Sequence, residues 1–94
     1  MQLLWQEQAI IDLDDALAYI SEDNPAAALK LVNEVFPSVE QTLSKHPAIG
    51  RRGRFKGTRE WVAHKNYIVA YRVHDNQIQI LAVMHSARLW PDEL

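Results

Sequence analysis

The residues best suited to chemistry lie in the second half of the sequence, first of all in a basic loop. This loop carries five cations interrupted by glycines: Arg51, Arg52, Arg54, Lys56 and Arg59. Glycines let a backbone approach a phosphate closely, arginines bind anionic oxygens in pairs, and Phe55 could stack on a base. Cations at this density also repel one another, so the alternative is a loop at the rim of a sheet, paired with acids that a protein partner can supply. The sequence leaves both alternatives open.

His85 is the second candidate, because it ends a predicted buried strand and Arg88 follows three residues later. A histidine in this position could act as a general acid or base. The sequence favours the alternative of a structural histidine that bonds a backbone carbonyl at the sheet rim. No two histidines have the i, i+4 spacing of a helical zinc site, so neither a metal nor a cofactor is expected.

Two further side chains have competing interpretations. Arg59 opens a strand, where it either locks the basic loop or pairs with an acid on the helices, and Glu60 points to the opposite face. Trp90 belongs in the core or a groove more readily than in a site, although an exposed tryptophan anchors partners well.

Hydrophobic spacing predicts the elements that position these residues. Leu3–Trp5 is a short strand, and Glu7–Ser21 has the three- and four-residue spacing of an amphipathic helix, with Ile10 on its apolar stripe and Asp12 on its polar side. Asn24 and Pro25 then cap a second helix that runs to about Lys45.

Pro37 interrupts the pattern of the second helix. It removes one backbone hydrogen bond, yet the apolar spacing continues beyond it through Val39 and Leu43. We therefore predict a kink at residues 33–36 and not a break.

After the basic loop the period changes from 3.6 to 2. Three strands are predicted, the last of them interior to the sheet because its centre is apolar on both faces. They are Arg59–Ala63, Tyr67–Val73 and Gln77–His85, with turns at residues 65–66 and 75–76. The expected fold is α+β, in the order β-α-α-β-β-β, with a helical hairpin packed on a small antiparallel sheet beside whose last strands the first one pairs.

Composition bounds the remaining possibilities. The 94 residues, 48% of them hydrophobic, suit a single domain spanning 1–94, and the absence of cysteine excludes disulfides and thiol catalysis and favours the cytoplasm. No apolar run is long enough for a membrane span. The net charge of −2 argues against a strongly basic nucleic-acid binder. The charge is unevenly divided, because residues 1–50 carry a net charge of −6 and residues 51–94 carry +4. This division suggests that one face of the protein binds an anionic partner.

Ordered motifs along nearly the whole chain resemble those of the RelE/ParE superfamily of toxins from bacterial type II toxin–antitoxin modules. They are residues 13–28 (first helix and junction), 46–51 (a P-x-x-G-R loop), 57–60 (G-T-R-E), 67–73 and 80–91 (H-S-A-R-L-W-P at the end). The resemblance implies the β-α-α-β-β-β order and an antitoxin as partner.

The superfamily contains two activities, and three features bear on the choice. RelE-like members cut mRNA in the ribosome, whereas ParE-like members bind and stall DNA gyrase and lack the nuclease residues. Such nucleases are strongly basic, but this chain is not. Tyr67 or Ile68 stands where they have an arginine, and no tyrosine follows Tyr71 near the C-terminus.

The resemblance therefore implies a ParE-like gyrase inhibitor that a cognate antitoxin neutralises. The target surface would comprise Arg51, Arg52, Arg54, Lys56, Arg59, His85, Arg88 and Trp90. The alternative is a ribosome-dependent mRNA interferase whose site would comprise Arg59, Arg72, His85 and Arg88. A third possibility is a degenerate member that only binds its antitoxin.

Overall fold

The chain folds as two helical arms on one face of a five-stranded sheet, in a computed structural model that describes residues 1–64 and 67–85. The helical part comprises α1 (Glu7–Asp23), α2 (Pro25–Lys30), a π-helical segment (Leu31–Val35) and α3 (Phe36–Lys45). The strands are β1 (Gln2–Trp5), β2 (Arg51–Arg52), β3 (Arg59–His64), β4 (Tyr67–His74) and β5 (Gln77–His85). The predicted α+β fold is confirmed, with β2 as an additional short edge strand.

The helical hairpin turns on the single residue Asn24. Its side chain accepts a hydrogen bond from the backbone N–H of Ala27 at 3.1 Å, and Pro25 occupies the first position of α2. The N-cap predicted from these residues is confirmed, because the amide oxygen satisfies one of the free donors of the new helix.

The irregularity predicted near Pro37 is a π-helical turn. The backbone N–H of Phe36 bonds to the carbonyl of Leu31, five residues back. One extra residue in the turn absorbs the hydrogen bond that Pro37 cannot make, and the helix continues into α3. Val32, within the π-helical segment, is 47% exposed.

The sheet has the order β1-β5-β4-β3-β2, so β5 is an interior strand as predicted. Its pairs are antiparallel except that β1 runs parallel to β5, with Gln2 opposite Gln77 and Trp5 opposite Ile80. The chain leaves β1 into a helix and returns to the sheet only at β2, a long connection of the kind that parallel neighbours need.

Beyond Ile80, β5 has no strand neighbour on its β1 side, and α1 supplies a substitute. The Asp12 carboxylate accepts a hydrogen bond from the backbone N–H of Val83 at 3.0 Å. Asp12 was predicted on the solvent side of α1, but it is half-buried against the sheet because this edge donor requires a partner.

A β-bulge decides which face the end of β5 presents to the helices. Ala70 pairs with Ala82 and Tyr71 pairs with Ile80, so Leu81 is an extra residue. Side chains alternate along a strand, and one extra residue reverses the alternation. Val83 therefore joins Ile78 and Ile80 in the core on the helix side.

The core lies between the sheet and the hairpin. Its largest fully buried side chains are Tyr71, Leu43, Ile78, Ile80 and Val69. In the described ranges, no helix combines the length and the apolar character that crossing a bilayer requires.

Candidate functional site

The predicted site residues fall into two places at different ends of the sheet. Arg59 pairs with Tyr71 on β4, whereas His85 pairs with Tyr67, four residues away along the same strand. At about 3.3 Å per residue this is about 13 Å along the strand, and β3 and β5 are also two strand spacings apart. The basic loop and His85 therefore do not form one site.

A buried carboxylate organises the basic loop (residues 51–59). Glu60 is only 4% exposed. Its Oε1 accepts a hydrogen bond from Nη2 of Arg51 at 3.1 Å, and its Oε2 accepts from the backbone N–H of Arg54 at 2.9 Å and from Nε of the same residue at 3.4 Å. Arg51 and Arg54, two of the five cations, thus form charge-assisted hydrogen bonds within the protein, and these bonds fix the loop.

Opposing effects act on the pKa of Glu60. Burial alone would raise the pKa of this carboxyl, but the hydrogen bonds from Arg54 and Arg51 and the charges of both guanidinium groups outweigh it and hold the pKa below its ordinary value. The ionised form is therefore the form that the folded loop favours.

We expect acid to weaken the fold through Glu60. A pKa lowered by folding contributes stability that is present above the unfolded value of about 4.3 and lost as the pH falls through the folded value. Urea unfolding followed from neutral to acidic pH should show this loss in the wild type and a shallower loss in Glu60→Gln. Glu34→Gln, an exposed position, should parallel the wild type, and equal slopes for all three proteins would contradict the assignment.

Arg59 locks the loop from its other end. Its Nη1 donates to the carbonyl of Gly50 at 2.8 Å and to that of Ala48 at 3.2 Å. Of the two roles considered for Arg59, the structure shows the one that ties the loop, and no helix acid pairs with it in the described part of the chain.

Tyr71 anchors the same segment from below. Its hydroxyl accepts a hydrogen bond from the backbone N–H of Gly50 at 2.9 Å and donates one to the carbonyl of Pro47 at 2.8 Å. Burial raises the pKa of Tyr71, against smaller opposing contributions from the Gly50 N–H and the Arg59 charge. A Cβ at Gly50 would lie 2.6 Å from the hydroxyl oxygen, so the position has no room for a side chain.

The tip of the loop is a tight turn closed by Thr58. Its Oγ1 donates to the carbonyl of Phe55 at 2.6 Å, and its carbonyl accepts the backbone N–H of Gly53 at 2.8 Å. Gly57 has a φ of +78°, a conformation that favours glycine.

This framework leaves Arg52 and Lys56 exposed beside an open concavity of about 800 Å³. The concavity is lined by residues 52–59, the tip of the basic loop. Among residues 1–64 and 67–85, no ion pair or side-chain hydrogen bond engages either cation. The five cations therefore differ in their contacts: Arg51, Arg54 and Arg59 have bonds within the protein, and Arg52 and Lys56 have none among the described residues.

His85 belongs to a row of rings across three strands, on the side that faces the helices. The rings of Tyr67 and His85 meet edge to face with centroids 5.2 Å apart, and the His64 ring lies 6.5 Å from that of Tyr67. A cavity of about 470 Å³ separates this row from the hairpin, where Lys30 and Asp23 line it. The buried Nδ1 of His64 has no hydrogen-bond partner within the described ranges.

Arg59 and Arg72, the two proposed nuclease cations that the structure describes, do not lie at this row. Arg59 bonds to the carbonyls of Ala48 and Gly50. Arg72 lies on the opposite face of the sheet from Tyr71, because side chains alternate along a strand, and it donates to the Gln79 side chain at 2.5 Å. Arg88 and Trp90, which were also predicted as site residues, lie outside the described residues.

An apolar groove runs along the other side of the hairpin, with a volume of about 370 Å³. Its lining residues come from β1, α1, the π-helical segment and α3: Trp5, Ile10, Leu13, Leu17, Val32, Phe36, Pro37 and Glu40. At one end the Trp5 ring packs edge to face on Phe36, with centroids 5.9 Å apart. Ile10, predicted on the core stripe of α1, is instead 47% exposed beside the groove, because the two helical arms do not close over it.

No metal centre is formed in the part of the chain that the structure describes, where no three histidine, aspartate or glutamate side chains come together in a suitable cluster.

Comparison with known proteins places these features in context. Residues 3–90 match a family described as the ParE toxin of the type II toxin–antitoxin system, parDE. A curated protein of Sinorhizobium fredii named "Putative toxin Y4kP" is 40% identical over 94 residues, which cover 99% of this chain and 96% of that one.

Solved structures agree with the family match. A structure titled as the chromosomal ParDE TA system from P. aeruginosa superposes with a TM-score of 0.79 at 26% identity, over 90% of this chain and 95% of that one. The YoeB–YefM complex from Staphylococcus aureus superposes over the same shares with a TM-score of 0.59 at 14% identity, which shows a shared fold alone.

Proposed function

This chain belongs to the ParE toxin family of type II toxin–antitoxin systems, and we propose that it acts by inhibiting DNA gyrase. The observation that carries the proposal is the separation from His85 of Arg59 and Arg72, two of the cations that a nuclease would need. Arg59 is engaged by the carbonyls of Gly50 and Ala48, and Arg72 faces away from His85. Among the described residues Lys30 is the one lysine or arginine that lines the cavity beside His85, and Asp23 lines it too, so little net charge is available to stabilise a phosphate in which charge develops.

The basic loop is the proposed contact with the target. Glu60, Arg59 and Tyr71 hold its backbone before any partner arrives, which lowers the entropy cost of binding. Its action on gyrase would take place in the cytoplasm, as the composition suggests.

The apolar groove is the proposed contact with the antitoxin. Family membership supplies the antitoxin as the occupant. An amphipathic helix can fill a groove of this kind with side chains from one face. The groove and the basic loop are built from different elements, so the two partners would meet different surfaces.

Two assays on the purified protein decide between the activities. We expect excess toxin to stop gyrase supercoiling in vitro and to leave mRNA on programmed ribosomes intact. Addition of the cognate antitoxin should restore supercoiling. Cleaved A-site mRNA with unaffected supercoiling would contradict the proposal, and no effect in either assay would favour a member that only binds its antitoxin.

The second candidate is the mRNA interferase, and the ring row favours it. His85 and Tyr67 line a cavity large enough for a nucleotide base, with His64 beside them. If this activity holds, His85→Ala should abolish cleavage in the ribosome assay, whereas under the gyrase proposal the same variant leaves the ribosome assay unchanged.

A further inference from the structure

We propose that the five cations of the basic loop divide into two groups with different tasks. Arg52 and Lys56 contact an acidic protein surface on the target, whereas Arg51, Arg54 and Arg59 are positioning residues that hold the loop in shape. The identity of the target as gyrase rests on the proposed function, but the division itself rests on the contacts of the loop.

The positioning group is recognised by its buried partners. Arg51 and Arg54 both bond to the Glu60 carboxylate, which is 4% exposed, and Arg59 bonds to two backbone carbonyls. A cation whose bonds point into the protein has fewer donors left for a partner. Truncating one also leaves Glu60 or a carbonyl without its bond, so its first effect is on the fold.

The contact group is recognised by the absence of a partner for its charges among the described residues, since Arg51 and Arg54 are exposed as well. Arg52 lies on the edge strand β2, and Lys56 lies in the turn that closes the loop. Both line the concavity of about 800 Å³, which Arg54 and Arg59 line as well. Both are exposed, and neither has a charged partner among residues 1–64 and 67–85.

The charges indicate a protein and not a nucleic acid as the occupant. A nucleic-acid binder gains affinity with each phosphate that it neutralises, whereas only two cations of this loop lack a partner among the described residues. The whole chain has a net charge of −2, which gives no long-range attraction to a polyanion. Four cations line this concavity, and Arg54 and Arg59 already bond to Glu60 and to backbone carbonyls. The remaining pair, Arg52 and Lys56, matches a small acidic patch, whose carboxylates it can meet in a fixed geometry.

Binding to purified gyrase, measured for matched variants, tests the division. The double variant Arg52→Ala/Lys56→Ala should raise Kd about tenfold, weaken its dependence on salt between about 50 and 200 mM, and leave the melting temperature unchanged. Arg51→Ala should lower the melting temperature and keep the wild-type salt dependence. Lys45→Ala removes an exposed cation outside the loop and should match the wild type in every measurement.

Growth arrest after induction of the toxin, compared at equal protein level, distinguishes failure of the proposed division of the cations from failure of the gyrase proposal. If the wild type arrests growth without binding gyrase, the gyrase proposal is overturned. The double variant then tests the division of the cations: weaker growth arrest than the wild type supports the division, and equal arrest overturns it. Equal gyrase binding by the double variant, or tight wild-type binding to duplex DNA alone, also overturns it. A wild type inactive in both assays overturns both proposals.

Discussion

Replacing Tyr71 by phenylalanine is expected to lower the free energy of unfolding by about 2–4 kcal/mol. The hydroxyl is the only part removed, and the ring still fills the core. Its loss leaves the backbone N–H of Gly50 and the carbonyl of Pro47 without their 2.9 Å and 2.8 Å bonds. Each polar group buried without a partner costs about 1–3 kcal/mol. Urea unfolding followed by tryptophan fluorescence measures the change.

Ser38→Ala is the control, because it also removes only a hydroxyl oxygen, from an exposed side chain on α3. Its effect should stay within about 0.5 kcal/mol. A loss below about 1 kcal/mol in Tyr71→Phe would mean that solvent reaches the freed groups, and the proposed role of the Tyr71 hydroxyl as an anchor for Gly50 and Pro47 would then be wrong.

Gly50→Ala tests the same contact between Tyr71 and Gly50 by changing the other partner. The added Cβ would meet the Tyr71 hydroxyl at 2.6 Å and its Cε1 at 2.7 Å. We expect a loss of about 1–3 kcal/mol from the overpacking. Because both substitutions act on one contact, the double variant should lose less free energy of unfolding than the sum of the two single losses. Strict additivity would contradict a shared contact.

The second large effect is expected at the apolar groove. Ile10→Glu should weaken binding of the cognate antitoxin about 100-fold, because a charge in an apolar contact leaves an uncompensated desolvation cost of hot-spot size. The variant should still fold, since Ile10 is 47% exposed. Isothermal titration or competition for the purified antitoxin measures the affinity.

The adjacent Ile11 gives an unusually close control. It has the same side chain and is 45% exposed, yet it does not line the groove. Ile11→Glu should bind the antitoxin as the wild type does. A second pair on the other arm repeats the comparison, with Val32→Glu inside the groove and Leu29→Glu outside it. Equal losses within each pair would show that the antitoxin uses another surface.

Local rules were sufficient to predict the hairpin and the main strands. The cap at Asn24 and Pro25 depends on residues three apart, and the disturbance at Pro37 follows from one missing donor. The turn at Asp75 and Asn76 has positive φ at both residues, as tight hairpin turns require. In each case the physical cause lies within a few residues of its effect.

The parts that could not be predicted depend on residues distant in sequence. Asp12 lies on the polar side of α1 by periodicity alone, and only the end of β1 explains why its carboxylate meets Val83. The extra residue Leu81 decides that His85 shares the helix side with Tyr67, and no local pattern marks that bulge.

The candidate site shows the same limit. The density of cations in residues 51–59 is evident from the sequence, but their division is not. Glu60 was noted only as the neighbour of Arg59, and its burial beneath two guanidinium groups depends on how β2 pairs with β3. A lone acid within a run of bases was the one available signal.

The parallel pairing of β1 with β5 has a consequence for how the chain folds during synthesis. Gln2 pairs with Gln77, so β1 is made before the helices and must wait for β5, which is made after β4. The hairpin, whose contacts are local, can form early, whereas closing so long a loop is slow. A nascent chain therefore presents helices before it has a complete sheet, and the end of the groove at Trp5 is fixed only after β5 has been made.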